Sequence, residues 1–178
     1  MLGGLAVWLN MVQSGFQPDR ALWRQPLLIL PTFLMMFFLG GGQEEFGWRG
    51  YALPRLLAKW SPLAASLILG ALWGVWHLPL FFITGVSQSF MPFWVFLLLA
   101  MAFSVVFTWL YLKTGRSLFS ALLLHTAINT SMSIFPPVEM AAGGNQMALT
   151  YLMVAYSLLA LVLVVTDRGT WFGLQSAD

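Results

Sequence analysis

The stretch LLILPTFLMMFFLGGGQEEFGWRG, residues 27–50, joins an uncharged apolar run to two adjacent carboxylates and an arginine. As a helix, residues 25–39 would be about 22 Å long, and the hydrocarbon core of a bilayer is about 30 Å thick. The helix therefore either ends inside the membrane or continues through the glycines into Glu44 and Glu45. In both cases the carboxylates lie below the lipid headgroups. The three glycines at 40–42 permit a kink or a close approach of another helix.

The composition of the chain indicates a membrane protein. Of its 178 residues, 60% are hydrophobic and 8% are charged, and the mean hydropathy is +0.82. A soluble domain has about 25% charged residues. The net charge of +2 leaves too few cations for a nucleic-acid surface, and the absence of cysteine excludes disulfides and a cysteine nucleophile.

Apolar runs along the chain predict an all-α transmembrane bundle of about five to six helices around a buried polar site, because a lipid-exposed backbone must satisfy its own hydrogen bonds. The predicted membrane helices cover residues 25–39 with an extension into the Glu pair, 62–82, 91–112, 117–135 and 147–166. Residues 1–16 are apolar but short. We expect a single membrane domain over residues 1–178.

Lysine and arginine in short loops predict the orientation. With five membrane helices, one side carries five cationic residues and the other carries two, so we expect the richer side, with the C-terminus, to be cytoplasmic. The five are Arg55, Lys59, Lys113, Arg116 and Arg168, and the two are Arg20 and Arg24.

Ionisable residues within membrane helices are candidates for function. Glu45 and Arg49 are four residues apart in the favourable order for a helical ion pair. Glu44 is rotated by about 100° from Glu45, so both carboxylates cannot share Arg49 well. The carboxylate left over is a candidate general base for water. The alternative is that the charged pair serves only packing.

The two histidines of the chain each lie within a predicted membrane helix. His77 follows Trp73 by four residues, and Asn129 follows His125 by four, so each pair shares a helix face. Taken alone, His77 fits aromatic packing, and the pair of His125 with Asn129 fits a polar seam between helices. Counted from the helix ends, the two histidines differ in depth by about 10 Å.

Together these residues favour catalysis. A carboxylate, two imidazoles and an amide on three helices can activate water and stabilise an oxyanion. The set of Glu44, His77 and His125 is also close to the ligands of catalytic zinc sites, although the chain has no HExxH motif.

Three motifs resemble those of the CAAX protease and bacteriocin-processing family (CPBP, or Abi), intramembrane proteases related to the type II CAAX prenyl endopeptidase. The segment EEFGWR at residues 44–49 resembles the EExxxR motif, and HTAIN at 125–129 resembles HxxxN. WGVWH at 73–77 resembles FxxxH with tryptophan in place of phenylalanine, a change from which we expect little loss. The resemblance covers a core of about residues 25–135. Compared with the eight-helix eukaryotic members, the chain is short at its N-terminus, and we expect one or more peripheral helices to be missing.

The resemblance implies an endopeptidase in the bilayer that acts on membrane-anchored substrates, of the CAAX type or with another C-terminal segment, in a bacterial cytoplasmic membrane. By position, Glu44 would be the general base, His77 would hold the water, and His125 and Asn129 would stabilise the oxyanion. Glu45, Arg49 and Trp73 would support the motif. Zinc, if used, would bind Glu44, His77 and His125.

Two other functions are compatible with the sequence. The first is a non-catalytic membrane scaffold or bacteriocin self-immunity protein of the same family. The second is a haem binder with His77 and His125 as axial ligands, which leaves the Glu pair and Asn129 without a role.

Overall fold

The computed structural model describes residues 2–14, 25–138 and 146–172, which form helices and turns without a strand among them. In these ranges the α-helices are α1 (Leu2–Ser14), α2 (Ile29–Phe38), α3 (Glu44–Gly47), α4 (Leu53–Leu57), α5 (Pro62–Trp76), α6 (Phe93–Lys113), α7 (Leu118–Ile134), α8 (Met147–Thr166) and α9 (Arg168–Phe172). Short 3-10 helices cover Pro26–Leu28, Gly41–Gln43, Leu78–Phe82 and Ser87–Phe90, and a π-helical stretch covers Trp48–Ala52.

The predicted all-α membrane bundle is confirmed. Four described segments are long and apolar enough to cross a membrane, namely Pro26–Leu57, Pro62–Phe82, Phe93–Lys113 and Met147–Thr166. The helix expected at 117–135 is the apolar helix α7, which at 17 residues is shorter than these spans. The short apolar run at the N-terminus is α1, and it packs against α7 and α8.

Large apolar side chains on the outside of the bundle match a lipid environment. Leu27 is 88% exposed and Phe82 is 80% exposed, and each of the helices α1, α2, α5, α6, α7 and α8 carries other exposed apolar side chains. In water such a surface would be unfavourable by about 25 cal/mol for each Å². The chain is therefore an integral membrane protein, and the bilayer is its solvent.

Helix α6 forms the centre of the bundle, with α5, α7 and α8 packed around it. Two glycines of α5 allow the closest of these contacts. A Cβ atom on Gly70 would lie 2.6 Å from Cα of Met101, and one on Gly74 would lie 2.7 Å from Cδ1 of Leu97. Small residues four apart let two membrane helices approach closely. This contact fixes the C-terminal part of α5 against α6.

The first predicted span is broken where the glycines begin. Helix α2 ends at Phe38, Gly40 has an extended backbone, and helical structure resumes with the 3-10 turn Gly41–Gln43 before α3. The segment thus ends as one helix and restarts as another within Pro26–Leu57. The break places Glu44 and Glu45 in the first turn of α3, where carboxylates are favoured by the helix dipole.

Side-chain caps define the starts of α5 and α7. Ser61 accepts a hydrogen bond from the backbone N–H of Ala64 at 3.4 Å, and Ser117 accepts one from Ser120 at 3.3 Å. Such caps satisfy backbone donors that the first helical turn leaves free. Both helices therefore start at fixed residues on the same side of the bundle.

Asp167 ties the end of α8 to the end of α6. Its carboxylate lies 2.6 Å from Nζ of Lys113 and accepts hydrogen bonds from the indole of Trp109 and the hydroxyl of Thr170. The hydrogen bond from Lys113 holds the pKa of Asp167 below its ordinary value, and the other two donors act in the same direction. This link aligns the C-terminal ends of the two helices.

Candidate active site

The four residues predicted to act on substrate line one cavity of about 470 Å³. Glu44 comes from the first turn of α3, His77 from the C-terminal cap of α5, and His125 and Asn129 from α7. Their helices bring the two histidines to one cavity despite the different depths expected from the sequence. The remaining wall is mainly apolar, and α6 supplies much of it.

One oxygen of Glu44 is held by two tryptophans. Oε2 accepts a hydrogen bond from the indole N–H of Trp73 at 2.7 Å and a longer one from Trp48 at 3.4 Å. In the described part of the chain, the hydrogen bonds to this carboxylate all go to Oε2. Oε1 is therefore the oxygen left to meet a molecule in the cavity.

Glu45 has a larger role than the sequence indicated. Its Oε1 accepts a hydrogen bond from Nη1 of Arg49 at 3.0 Å, which confirms the predicted ion pair, and it lies 2.7 Å from Nδ1 of His125. The side chains of Glu45 and Arg49 are fully buried. Since a carboxylate oxygen only accepts, Nδ1 of His125 carries the proton. Glu45 thus fixes the orientation of His125.

Aromatic rings enclose the guanidinium group of Arg49. Its Cζ lies 4.4 Å from the ring centroid of Phe107 and 5.5 Å from that of Trp73. A buried cation is stabilised by the faces of such rings. Because Phe107 and Trp73 also line the cavity, Arg49 lies behind the cavity wall and supports it.

His77 does not lie inside a helix, as the sequence suggested, but caps the end of α5. Pro79 explains the difference, because a proline cannot continue an α-helix and disfavours helical backbone just before it. Nδ1 of His77 lies 2.8 Å from the carbonyl oxygen of Trp73 and donates to it. That hydrogen bond leaves Nε2 of His77 as an acceptor.

Gly41 makes the closest approach to the site. A Cβ atom there would lie 2.2 Å from Nδ2 of Asn129 and 2.4 Å from Nε2 of His125. Both nitrogens therefore face the same small volume, which only glycine leaves open. The sequence reasoning foresaw a close approach at the three glycines but did not identify its partners.

The predicted zinc ligands do not form a ligand set. No group of three His, Cys, Asp or Glu side chains in the described ranges is arranged to hold a metal ion. Glu44 also has one oxygen engaged by two indoles. The residues present do not fit a zinc centre, so no chemical step is assigned to a metal.

Sequence reasoning missed both indole donors. Trp48 follows Glu44 by four residues, a spacing that could have indicated the contact. Trp73 was expected to behave like the phenylalanine that it replaces. Its N–H group instead makes the shortest hydrogen bond to Glu44.

The fold and the cavity together define the structural class of this protein. This is an all-helical integral membrane protein in which a glutamate, two histidines and an asparagine line a cavity inside the bundle. The chain belongs to the family described as type II CAAX prenyl endopeptidase Rce1-like, whose model matches residues 26–131. The resemblance found in the three motifs is thereby confirmed.

A curated relative gives the same result. The protein named CAAX prenyl protease 2 from Methanococcus maripaludis is 32% identical to this chain over 107 residues. The match covers 57% of this chain and 40% of the relative. The chain thus spans less than half of the length of that relative.

Proposed function

We propose that this protein is an intramembrane endopeptidase that hydrolyses a peptide bond of a membrane-associated substrate with a water activated by Glu44. The proposal rests on the hydrogen bonding of the Glu44 carboxylate, which differs between its two oxygens. One oxygen is anchored by Trp73 at 2.7 Å, and the other is left for a molecule in a cavity that it shares with His77, His125 and Asn129. Family membership supports the same activity.

The attacking water is held by two acceptors. It donates one hydrogen bond to Oε1 of Glu44 and the other to Nε2 of His77, which accepts because Nδ1 donates to the carbonyl of Trp73. Glu44 takes the first proton as the water oxygen bonds to the scissile carbonyl carbon. A tetrahedral intermediate with one negatively charged oxygen results.

Asn129 and His125 stabilise that oxygen. The Nδ2 amide of Asn129 donates directly, and Nε2 of His125 faces the same volume. To donate from Nε2 while Nδ1 donates to Glu45, the ring must carry a proton on both nitrogens, and its positive charge then also attracts the oxyanion. Donors placed where charge develops lower the barrier.

The reaction ends with a proton returned. Glu44, now protonated, gives its proton to the amide nitrogen as the C–N bond breaks, and the intermediate collapses to a carboxylic acid and an amine. Atoms and charge balance, and the Glu44 carboxylate is regenerated. Glu44 therefore serves as base and then as acid.

Glu44→Gln tests the proposal. The amide oxygen of glutamine still accepts from Trp73, so the fold and the melting temperature are preserved, whereas turnover falls by about two to four orders of magnitude. Turnover is measured in detergent with quenched peptides, one farnesylated at a C-terminal cysteine and one apolar and unmodified. The control variant is Gln43→Asn, at the neighbouring exposed residue, which keeps turnover.

Two outcomes would contradict the proposal. A Glu44→Gln protein that cleaves at the wild-type rate would end it, and a folded wild-type protein that cleaves no peptide would favour the scaffold or self-immunity function. Wild-type turnover is also compared before and after dialysis against a chelator. Because the described donors form no ligand set, turnover is expected to persist.

A further inference from the structure

Two cavities share a wall on helix α7. One is the site cavity, and the other is a groove of about 160 Å³ between α1, α7 and α8, which we call the side groove. Uncharged side chains line it, among them Ala127, Leu152 and Tyr156. Helices α1 and α8 lie outside residues 26–131, the part of the chain that matches the family model. The side groove is therefore built partly from helices that flank the family core.

Ile128 and Met132 form the shared wall, because both line the site cavity and the side groove. They are four residues apart, so their side chains lie one above the other on the same face of α7. Ile128 is buried, and Met132 packs against the same core cluster. One layer of side chains on α7 thus separates the two volumes.

Two aromatic rings continue this partition between α6 and α8. Phe103 lines the site cavity and Tyr156 lines the side groove, and their ring centroids lie 4.4 Å apart at an interplanar angle of 79°. An edge-to-face arrangement of this kind is favourable for an aromatic pair. The contact between these rings therefore holds their part of the partition closed.

Met132 is the part of the partition that can move. Ile128 is β-branched and restricted at χ1, whereas methionine has three rotatable bonds and adapts to irregular spaces. Met132 lies in the last turn of α7, which ends at Ile134. A change in its rotamer would join the side groove to the site cavity without moving the backbone.

The partition lies next to the group that would hold the scissile carbonyl. Met132 follows Asn129 by three residues in α7, which is about 4.5 Å along the helix axis. An extended peptide advances about 3.3–3.6 Å for each residue. A substrate whose carbonyl oxygen is bound by Asn129 therefore presents the side chain of that same residue to Met132.

The volume of the side groove matches one apolar side chain. A cavity of about 150 Å³ lined by aliphatic and aromatic side chains binds benzene, and the side groove has about 160 Å³. A phenylalanine side chain is a benzene ring on one methylene group, so it fits a volume of this size.

We infer that Met132 determines the specificity of the proposed reaction, because it closes a side pocket that receives the apolar side chain of the substrate residue bearing the scissile carbonyl. This inference rests on the proposed function and deepens it by naming the chemistry of one subsite. When such a substrate binds, Met132 turns aside and the apolar side chain occupies the side groove.

Ala127→Phe tests the pocket from its outer side. Ala127 is exposed and lines the side groove, whereas the site cavity is lined by its neighbours on α7. The new ring therefore fills the groove and leaves the catalytic residues in place. The control is Val154→Phe, which adds a ring at an exposed residue of α8 that lines neither volume.

The assay compares two peptides. The cleavage position of a quenched apolar peptide is located by mass spectrometry, and two versions then carry phenylalanine or alanine at the residue bearing the scissile carbonyl. The wild type and Val154→Phe are expected to prefer the phenylalanine peptide by about tenfold or more in kcat/KM, as for the burial of one large apolar side chain. Ala127→Phe should lose this preference and cleave the alanine peptide at the wild-type rate.

Met132→Ala tests the partition itself. Removal of the methionine side chain leaves the side groove open to the site cavity, so the preference for the phenylalanine peptide should rise above that of the wild type. Ala127→Phe in the same chain should abolish the gain, because it fills the groove that Met132→Ala has opened.

Three results would overturn the inference. The first is a wild type that cleaves the two peptides equally well. The second is a preference for phenylalanine that survives in Ala127→Phe, and the third is an Ala127→Phe protein that loses turnover of both peptides to the same extent.

Binding without turnover separates this inference from the proposed function. The chain has no cysteine, so Met132→Cys in the Glu44→Gln protein carries a single thiol in the partition. The phenylalanine peptide is expected to slow the reaction of this thiol with N-ethylmaleimide more strongly than the alanine peptide does, and Ala127→Phe should abolish the difference. This protection with no cleavage by the wild type would remove the proposed function and keep the pocket. Cleavage that depends on Glu44, with equal protection by both peptides, would do the opposite.

Discussion

Nδ1 of His125 lies 2.7 Å from Oε1 of Glu45, although 80 residues separate the two in sequence. The contact joins α7 to the first turn of α3 and makes Glu45 the common partner of a histidine and an arginine. The second glutamate of the EE pair therefore orients the site, while the first faces the cavity. Neighbouring carboxylates acquire different roles because successive helical residues point about 100° apart.

Removal of Arg49 is expected to destabilise the protein. Arg49→Ala leaves Glu45 buried with only His125 as a partner, and breaking a buried ion pair costs about 3–5 kcal/mol. The free energy of unfolding is measured by titration with SDS in mixed micelles. Arg55→Ala is the matched control, because that arginine contacts Tyr51 at the exposed surface, and surface changes usually remain within about 0.5 kcal/mol. Equal stability of the two variants would refute the prediction.

Trp73→Phe tests the indole that anchors Glu44. The ring stays and the N–H donor is lost, so kcat is expected to fall by roughly tenfold to a hundredfold with KM unchanged, as for the loss of one hydrogen bond to a charged group. Trp48→Phe should have a smaller effect, because its hydrogen bond is 3.4 Å long. An increase in KM at constant kcat would instead assign Trp73 to substrate binding.

Gly41→Ala is expected to inactivate the protein without unfolding it. The new methyl group would displace the side-chain ends of Asn129 and His125. These ends can move without unfolding the protein, but the proposed oxyanion site requires them in their present positions. Turnover should fall at least about a hundredfold, while circular dichroism and the melting temperature change little. Gly47→Ala is the control, since nothing lies within 4 Å of a Cβ atom there. Activity in Gly41→Ala equal to that of Gly47→Ala would count against the proposed oxyanion site.

The link at Asp167 predicts a pH dependence of stability. The hydrogen bond from Lys113 lowers the pKa of Asp167 in the folded protein. The carboxylate therefore stabilises the fold at any pH above its ordinary pKa of 3.8. This stabilisation is lost as the pH falls through the lower pKa of the folded state. The melting temperatures of the wild type and Asp167→Asn should differ at neutral pH and converge below that value. A difference that stays constant down to strongly acidic pH would contradict this account.

Local patterns in the sequence predicted the features that depend on spacing along one helix. The run of apolar residues indicated membrane helices, and the four-residue interval indicated the pair of Glu45 and Arg49, because both depend only on helix geometry. The contact of Glu45 with His125 could not be predicted from spacing along one helix. It requires α3 and α7 to meet at a particular rotation, which is set by packing around Gly41 and α6.

The position of His77 shows a second limit. The apolar run continues to residue 82, so hydropathy alone extends the helix past the histidine, although Pro79 ends it at Trp76. The indole donors were missed for a related reason. Hydrophobicity treats tryptophan and phenylalanine as similar, whereas only tryptophan carries an N–H group that seeks a partner when buried.

The interval between Glu45 and Arg49 also affects how the chain is inserted into the membrane during synthesis. An isolated arginine or aspartate at the centre of an inserting helix costs about 2.5–3.5 kcal/mol. Since the two residues lie on one helical segment, they can pair before α7 has been synthesised, and the pair enters the lipid without a net charge. His125 then docks on a carboxylate that has already been neutralised. The arginine of the motif thus allows Glu45 to reach the bilayer interior ahead of its histidine partner.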